Sequence, residues 1–131
     1  MTVLVDTSAI YALLDRDDVN HASATEAFTD LVRHESLVTH NYIAVECAAL
    51  VQNRLGVDAL RELFDDLLVP FRLVWVDERI HRSAVASMIA AESRQISFVD
   101  WTSFEVMRDQ GIVRAFAFDD DFERRGFQLV V

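Results

Sequence analysis

The sequence predicts a single α/β domain over residues 1–131, with a mostly parallel sheet and helices on both of its faces. Short apolar runs alternate with longer stretches in which apolar residues recur every three or four positions, a pattern typical of buried strands and amphipathic helices. Only three glycines and one proline occur, which leaves little chain for irregular loops. Strands that alternate with helices favour parallel pairing, because the helices provide the crossovers.

The chain opens with a predicted strand and two helices. Thr2–Asp6 is a short apolar run that ends in an acid, as expected of a buried strand. Ser8 is the predicted N-cap of a short helix, Ala9–Leu14. The segment His21–His34 places its apolar residues at helix spacing.

A second strand, Leu37–Thr39, precedes two more predicted helices. Asn41 is the predicted N-cap of a helix that continues to Leu55, where Gly56 suits the position after a helix end. Leucines on one side predict the next helix over Val57–Leu68, and the following proline ends it.

The third strand, Phe71–Val76, leads into a helix that Asp77 caps and that runs to about Glu92. Ser97 is the predicted N-cap of the next helix, with Asp100 three residues later, a spacing that resembles a capping box. That helix is expected to end before Gly111.

The last third of the chain predicts two further strands around a short turn or helix. The fourth strand is Arg114–Phe118, the turn is Phe122–Arg125, and the final strand is Gln128–Val131.

Composition excludes several functions. There are 22 acidic against 12 basic residues, so the net charge is −10, and every basic residue is arginine. Without lysine the chain has no Walker A motif and no Schiff-base chemistry. The single cysteine, Cys47, excludes an internal disulfide and is expected to lie in the core. The negative net charge would repel nucleic acid, so nucleic-acid binding would need metal ions or local arginine clusters to offset the repulsion.

No feature of the sequence predicts export or membrane insertion. The first residues lack a basic segment, and no apolar run approaches the roughly 20 residues of a membrane span. We therefore expect a cytoplasmic protein without a membrane segment.

Two acids follow predicted strands, where the binding crevice of such sheets lies. Asp6 follows the first strand, and Asp119 follows the fourth, with Asp120 and Asp121 behind it. The alternative is that these acids cap helices or form a solvated charge run.

Two more acids lie on apolar-flanked helix faces. Glu46 shares a face with apolar neighbours, and an ion pair with Arg54 or Arg82 is the structural alternative. Asp100 is flanked by apolar residues too, and its alternative role is that of a helix-cap acid.

Together the four acids predict a metal site. Carboxylates a few Å apart repel one another by several kcal/mol at an effective dielectric constant of ~20, so a cation would have to share them. Oxygen-only ligands favour Mg²⁺ or Mn²⁺, because no cysteine cluster or suitably spaced histidines are present. Such a site suits phosphodiester hydrolysis.

The order of these motifs resembles the PIN-domain ribonucleases, and more narrowly the VapC-type toxins of bacterial toxin–antitoxin pairs. The resemblance covers residues 2 to 129. It rests on Val-Leu-Val-Asp-Thr-Ser at the start, Glu46 in a helix, Ser-Phe-Val-Asp at 97–100, and Ala-Phe-Ala-Phe-Asp-x-Asp-Phe at 115–122, followed by Gly-Phe.

The resemblance implies specific roles, with Asp6, Glu46, Asp100 and Asp119 as the acidic quartet that holds Mg²⁺ or Mn²⁺. Supporting roles would fall to Thr7, Ser8, Ser97 and Asp121. It also implies an RNA substrate, a homodimer, and an antitoxin whose basic segment enters the acidic groove. The sequence departs from many relatives at Ala117, where they carry a hydroxyl, and at Asp120 and Asp121, where they are often basic.

Other functions fit less well. A receiver-type signalling domain needs a lysine that is absent here, and an Asp-x-Asp phosphatase would need more chain after Asp121. The alternative of a catalytically silent PIN-like module that only binds a partner stays open. A metal-binding titration would distinguish such a module from an enzyme.

Overall fold

A computed structural model describes all residues, 1–131, and contains one five-stranded parallel sheet with seven α-helices. The strands are β1 (Thr2–Val5), β2 (Ser36–His40), β3 (Arg72–Val74), β4 (Arg114–Phe116) and β5 (Gln128–Leu129). The helices are α1 (Thr7–Leu14), α2 (His21–His34), α3 (Asn41–Arg54), α4 (Val57–Glu62), α5 (Glu78–Ala91), α6 (Phe98–Gln110) and α7 (Asp121–Arg124). The predicted α/β class and parallel sheet are confirmed.

The strand order is β3-β2-β1-β4-β5, so the chain builds outward from β1 in one direction and then in the other. Leu4 of β1 pairs with Val38 of β2 on one side and with Ala115 of β4 on the other. Right-handed crossovers in opposite directions place helices on both faces of the sheet. The direction changes between β1 and β4, and a crevice forms there at the carboxyl ends of the strands.

The core is built around the central strands. All three apolar residues Val3, Leu4 and Val5 of β1 are fully buried, as expected for a strand covered on both faces. The largest buried side chains include Phe104, Phe116 and Phe122, and Phe104 packs edge-to-face on Phe122 with ring centroids 5.1 Å apart. This aromatic packing joins α6 to α7.

Two predicted N-caps are wrong by one or two residues. Asp6, not Ser8, caps α1, and its carboxylate accepts a hydrogen bond from the Ser8 N–H. His40, not Asn41, caps α3. The Asn41 side chain instead accepts from the N–H of Val76 at 2.7 Å and so ties the start of α3 to the chain beyond β3.

Several predicted elements are shorter in the structure. The helix predicted over Val57–Leu68 is α-helical only to Glu62 and continues as a π-helical turn over Leu63–Leu67. Strand β4 ends at Phe116, because the N–H of Phe118 donates to the Ser8 side chain rather than to a strand. A side chain from α1 therefore helps to decide where β4 ends.

None of the helices combines the length and the apolar character that crossing a bilayer requires.

Candidate metal centre

The crevice between β1 and β4 gathers acids from four elements. Asp6 follows β1, and Asp119 follows the end of β4. Asp100 lies in the first turn of α6, and Asp121 is the first residue of α7. The change of direction in the sheet makes these elements neighbours, although they are far apart in sequence.

Asp6 is the most deeply buried of the acids, with only 3% of its surface exposed. Its Oδ2 accepts hydrogen bonds from the Ser8 hydroxyl at 2.8 Å and from the Ser8 N–H at 3.3 Å. Its Oδ1 is buried and has no hydrogen-bond partner. Burial, and next the charge of Asp119, raise the pKa of Asp6 to about 7. Oδ2 of Asp6 therefore caps α1, as the structural alternative proposed, whereas Oδ1 is free to bind a ligand.

Ser8 connects the two halves of the sheet at this point. Its hydroxyl donates to Asp6 and accepts from the N–H of Phe118 at 3.0 Å, which joins the end of β1 to the chain after β4. The Thr7 hydroxyl is buried without a hydrogen-bond partner. Of the two hydroxyls considered as supports, Ser8 is the one that orients an acid.

Asp100, Asp119 and Asp121 form a tight group in which one carboxylate oxygen from each lies within 4.8 Å of the others. The Asp121 N–H donates to Asp119 Oδ1 at 3.1 Å, which orients that carboxylate. The Ser97 hydroxyl accepts from the Asp100 N–H at 3.1 Å and caps α6 as predicted. Because Ser97 binds only the backbone of Asp100, the Asp100 carboxylate stays directed to its acidic neighbours.

Burial and like charges raise the pKa values of Asp100 and Asp119. Burial is the larger cause at Asp100, followed by Asp6, Asp119 and other acids, and its pKa rises to about 8. The pKa of Asp119 is raised as well, mainly by burial. Near neutral pH the Asp100 carboxyl therefore holds a proton, which a divalent cation would displace.

Glu46 lies at the edge of this group, on α3. It is half-buried, and its charge is one of the causes that raise the pKa of Asp100. The alternative ion pairs are absent: Arg82 pairs with Glu78 at 2.6 Å, and the Arg54 guanidinium lies 5.4 Å from the ring centroid of Tyr11. The structure thus places Glu46 near the acids but outside the tight group of three carboxylates.

The buried His40, to which the sequence analysis assigned no role, connects α3, which carries Glu46, with α6, which carries Asp100. His40 Nδ1 accepts from the N–H of Ile43 at 3.3 Å, so the other ring nitrogen carries the proton and donates to the Ser103 hydroxyl at 2.8 Å. Ser103 in turn donates to the carbonyl of Val99. Burial lowers the pKa of His40 to about 3, so the ring is neutral. In the sequence, the feature that could have indicated this role is the position of His40 between a predicted strand and a predicted helix start.

The predicted core position of Cys47 is confirmed. Cys47 is fully buried, and burial raises the pKa of its thiol to about 12, so it is not a nucleophile. His21 packs near the first helix, where its Nδ1 donates to the carbonyl of Ala12 at 2.7 Å.

The donor set fits a divalent cation. A buried oxygen without a partner on Asp6 and three convergent carboxylates provide only hard oxygen ligands, and no arginine forms an ion pair with any of these four acids. Their mutual repulsion is the kind that a bound cation offsets. The fold and the site define a small α/β protein with a cluster of carboxylates, able to hold a metal ion, at the switch point of its sheet.

The chain belongs to the PIN-domain family, whose family model matches residues 3–128. It is 32% identical over 126 residues to the 23S rRNA-specific endonuclease VapC20 of Mycobacterium tuberculosis, with 95% of both chains covered. It is 29% identical to ribonuclease VapC26 of the same organism, with 83% of this chain and 94% of that one covered.

Solved structures give the same result for the fold. The crystal structure of VapC20, described as a toxin that cleaves the sarcin–ricin loop, superposes with a TM-score of 0.87 over 95% of each chain, at 32% identity. The structure of VapBC2 from Rickettsia felis, bound to a DNA fragment from its promoter, matches with a TM-score of 0.76 at 10% identity, over 98% of this chain and 97% of that one. The second match bears on the fold alone.

Proposed function

We propose that this protein is a metal-dependent endoribonuclease and the toxin of a toxin–antitoxin pair. The observation that carries the proposal is the convergence of the Asp100, Asp119 and Asp121 oxygens within 4.8 Å, next to the buried Asp6. The names of the curated relatives, an rRNA-specific endonuclease and a ribonuclease, support the reaction and the substrate class.

In this proposal Asp6, Glu46, Asp100 and Asp119 would hold Mg²⁺ or Mn²⁺. We assign Asp121 to the ligands as well, because one of its carboxylate oxygens lies within 4.8 Å of those of Asp100 and Asp119. When bound, the cation supplies a hydroxide-like nucleophile and positive charge against the attacked phosphate.

The supporting residues keep these ligands in place. Ser8 orients the Asp6 carboxylate through a hydrogen bond and holds the turn after β1 against β4. Ser97 fixes the first turn of α6, from which Asp100 projects.

The partners follow from the charge of the site. An antitoxin with a basic segment complements the acidic crevice, since one arginine or lysine would take the place of the cation among the carboxylates. We further propose a homodimer, and sedimentation of the purified protein tests it.

Cleavage of RNA by matched variants tests the enzyme. Asp100→Asn keeps the size of the side chain and removes its charge, and we expect cleavage in Mn²⁺ to fall at least ~10²-fold. Asp120→Asn removes a charge that is exposed and paired with Arg124 at 2.8 Å, and it should retain activity. If both variants were equally active and had normal circular dichroism spectra, the carboxylate cluster would have no role in the reaction.

The alternative, a silent binding module, predicts a different result. A wild-type protein that binds no Mn²⁺ in a calorimetric titration, but captures a basic partner, would favour that alternative.

Bacterial growth tests the toxin role. Expression of the wild type alone should slow growth, and expression of Asp6→Asn should not.

A further inference from the structure

The candidate metal centre borders an apolar groove to which the proposed function assigns no role. The groove has a volume of about 330 Å³ and is lined by Tyr42, Val45, Glu46 and Val99. Two of these residues connect it with the acids: Glu46 contributes to the field at Asp100, and Val99 precedes Asp100 in α6. The groove therefore lies near the carboxylate cluster.

Tyr42 is the aromatic residue that lines this groove, and neighbouring side chains hold its ring in place. The Tyr42 ring lies 5.8 Å from the His81 ring and 5.8 Å from the Phe98 ring, measured between centroids. Its hydroxyl is hydrogen-bonded to His81 Nδ1. A ring that is already ordered loses little entropy when a ligand packs on it.

Charge decides which part of an RNA strand fits here. No arginine lines the groove, the acidic Glu46 is one of its lining residues, and the chain carries a net charge of −10. A phosphate would be repelled, whereas a nucleobase is neutral, planar and well suited to aromatic and apolar walls. The volume is at the small end of ligand sites, which suits a single base.

We propose that this groove binds one nucleobase of the RNA, next to the phosphodiester at the carboxylate cluster. The inference rests on the proposed ribonuclease function and adds a substrate-binding site to it. Tyr42, Val45 and Val99 are then binding residues, and their contribution is to KM rather than to kcat.

A pair of valine variants tests the groove. Val45 is 69% exposed on α3, and Val19 is 94% exposed, far from the groove in sequence, so serine at either position should leave the fold intact. Val45→Ser should raise KM for a short RNA that the protein cleaves by about 3- to 10-fold, with kcat little changed, and Val19→Ser should not. Equal KM values for both variants and the wild type would overturn the proposal.

An abasic nucleotide, placed in turn at each position around the cleavage site, identifies the bound base. One position should raise KM for the wild type and have a smaller effect for Val45→Ser, because the contact is already lost. If Val45→Ser instead alters only the sedimentation of the protein, the groove is an interface with a second copy and the inference is wrong.

A binding measurement separates this inference from the proposed activity. Adenosine, added to the metal-free protein, should shift the methyl NMR signals of Val45 and Val99, and the Val99 shift should weaken in Val45→Ser. These shifts do not require cleavage, so they support the groove even if the ribonuclease assignment fails. Absence of shifts at millimolar adenosine, with an active wild-type enzyme, overturns the groove alone.

Discussion

Replacement of Asp100 by asparagine should stabilise the metal-free protein at neutral and alkaline pH. The side chain keeps its size, and the substitution removes a charge that burial and neighbouring acids oppose, the largest charge effect being that of Asp6. The backbone N–H of residue 100 still donates to Ser97, so the cap of α6 is retained.

The size of the effect follows from the pKa. Folding raises the pKa of Asp100 from 3.8 to about 8, and the native protein keeps a proton that the unfolded chain has lost. Stability therefore falls as the pH rises through this window, by about 1.4 kcal/mol for each pH unit. At pH 7 about three of these pH units have been crossed, so the accumulated loss of stability is roughly 4 kcal/mol.

Only part of this energy is recovered by one substitution. The acids share one field, so removal of a single charge should recover about 1–2 kcal/mol. The helix N-terminus favours an acid at this position by about 0.5 kcal/mol, which is too little to reverse the sign. The gain corresponds to roughly 3–8 °C in melting temperature for a domain of this size.

Melting curves in EDTA measure the difference. Wild type, Asp100→Asn and Asp120→Asn are compared at pH 5 and pH 8, with Asp120 as the control because its side chain is 61% exposed. The gain of Asp100→Asn should be large at pH 8 and small at pH 5, and Asp120→Asn should show none. A melting temperature at or below that of the wild type at pH 8, or a gain independent of pH, would refute the reasoning.

Three further outcomes are expected. Saturation with Mn²⁺ at 100 times its Kd should stabilise the wild type by about 2.7 kcal/mol and Asp100→Asn much less, as melting curves in a metal titration will show. Ser8→Ala removes the hydroxyl that binds both Asp6 and Phe118, so calorimetry should give a loss of about 1–2 kcal/mol in stability together with weaker Mn²⁺ binding. His40 stays neutral when folded, because its pKa is lowered to about 3, whereas the unfolded imidazole gains a proton below about pH 6.5. Wild-type stability should therefore fall on acidification from pH 7 to pH 5 by about 2 kcal/mol more than that of His40→Gln in denaturant titrations, and parallel curves would contradict this.

Much of the fold could be predicted because it depends on local patterns. Alternation of apolar runs with amphipathic stretches specifies strands and helices residue by residue, and the sequence positions of Ser97 and Gly111 mark a helix start and end that the structure retains. Helix caps were predicted less well where two polar residues are adjacent. Asn41 and His40 are both capable of capping α3, and partners distant in sequence, the Val76 N–H and Ser103, decide between them.

The sequence by itself determined that acids follow the strands of a parallel sheet, because Asp6 and Asp119 come directly after apolar runs and parallel strands end at one edge. It also determined the chemistry of the donors, since only oxygen ligands are available there. The tertiary structure decided which acids meet. Asp121 joins Asp100 and Asp119, whereas Glu46 stays at the margin without an arginine partner. Strand order and the packing of α6 and α7 set those distances, and these depend on contacts between distant segments that local periodicity does not encode.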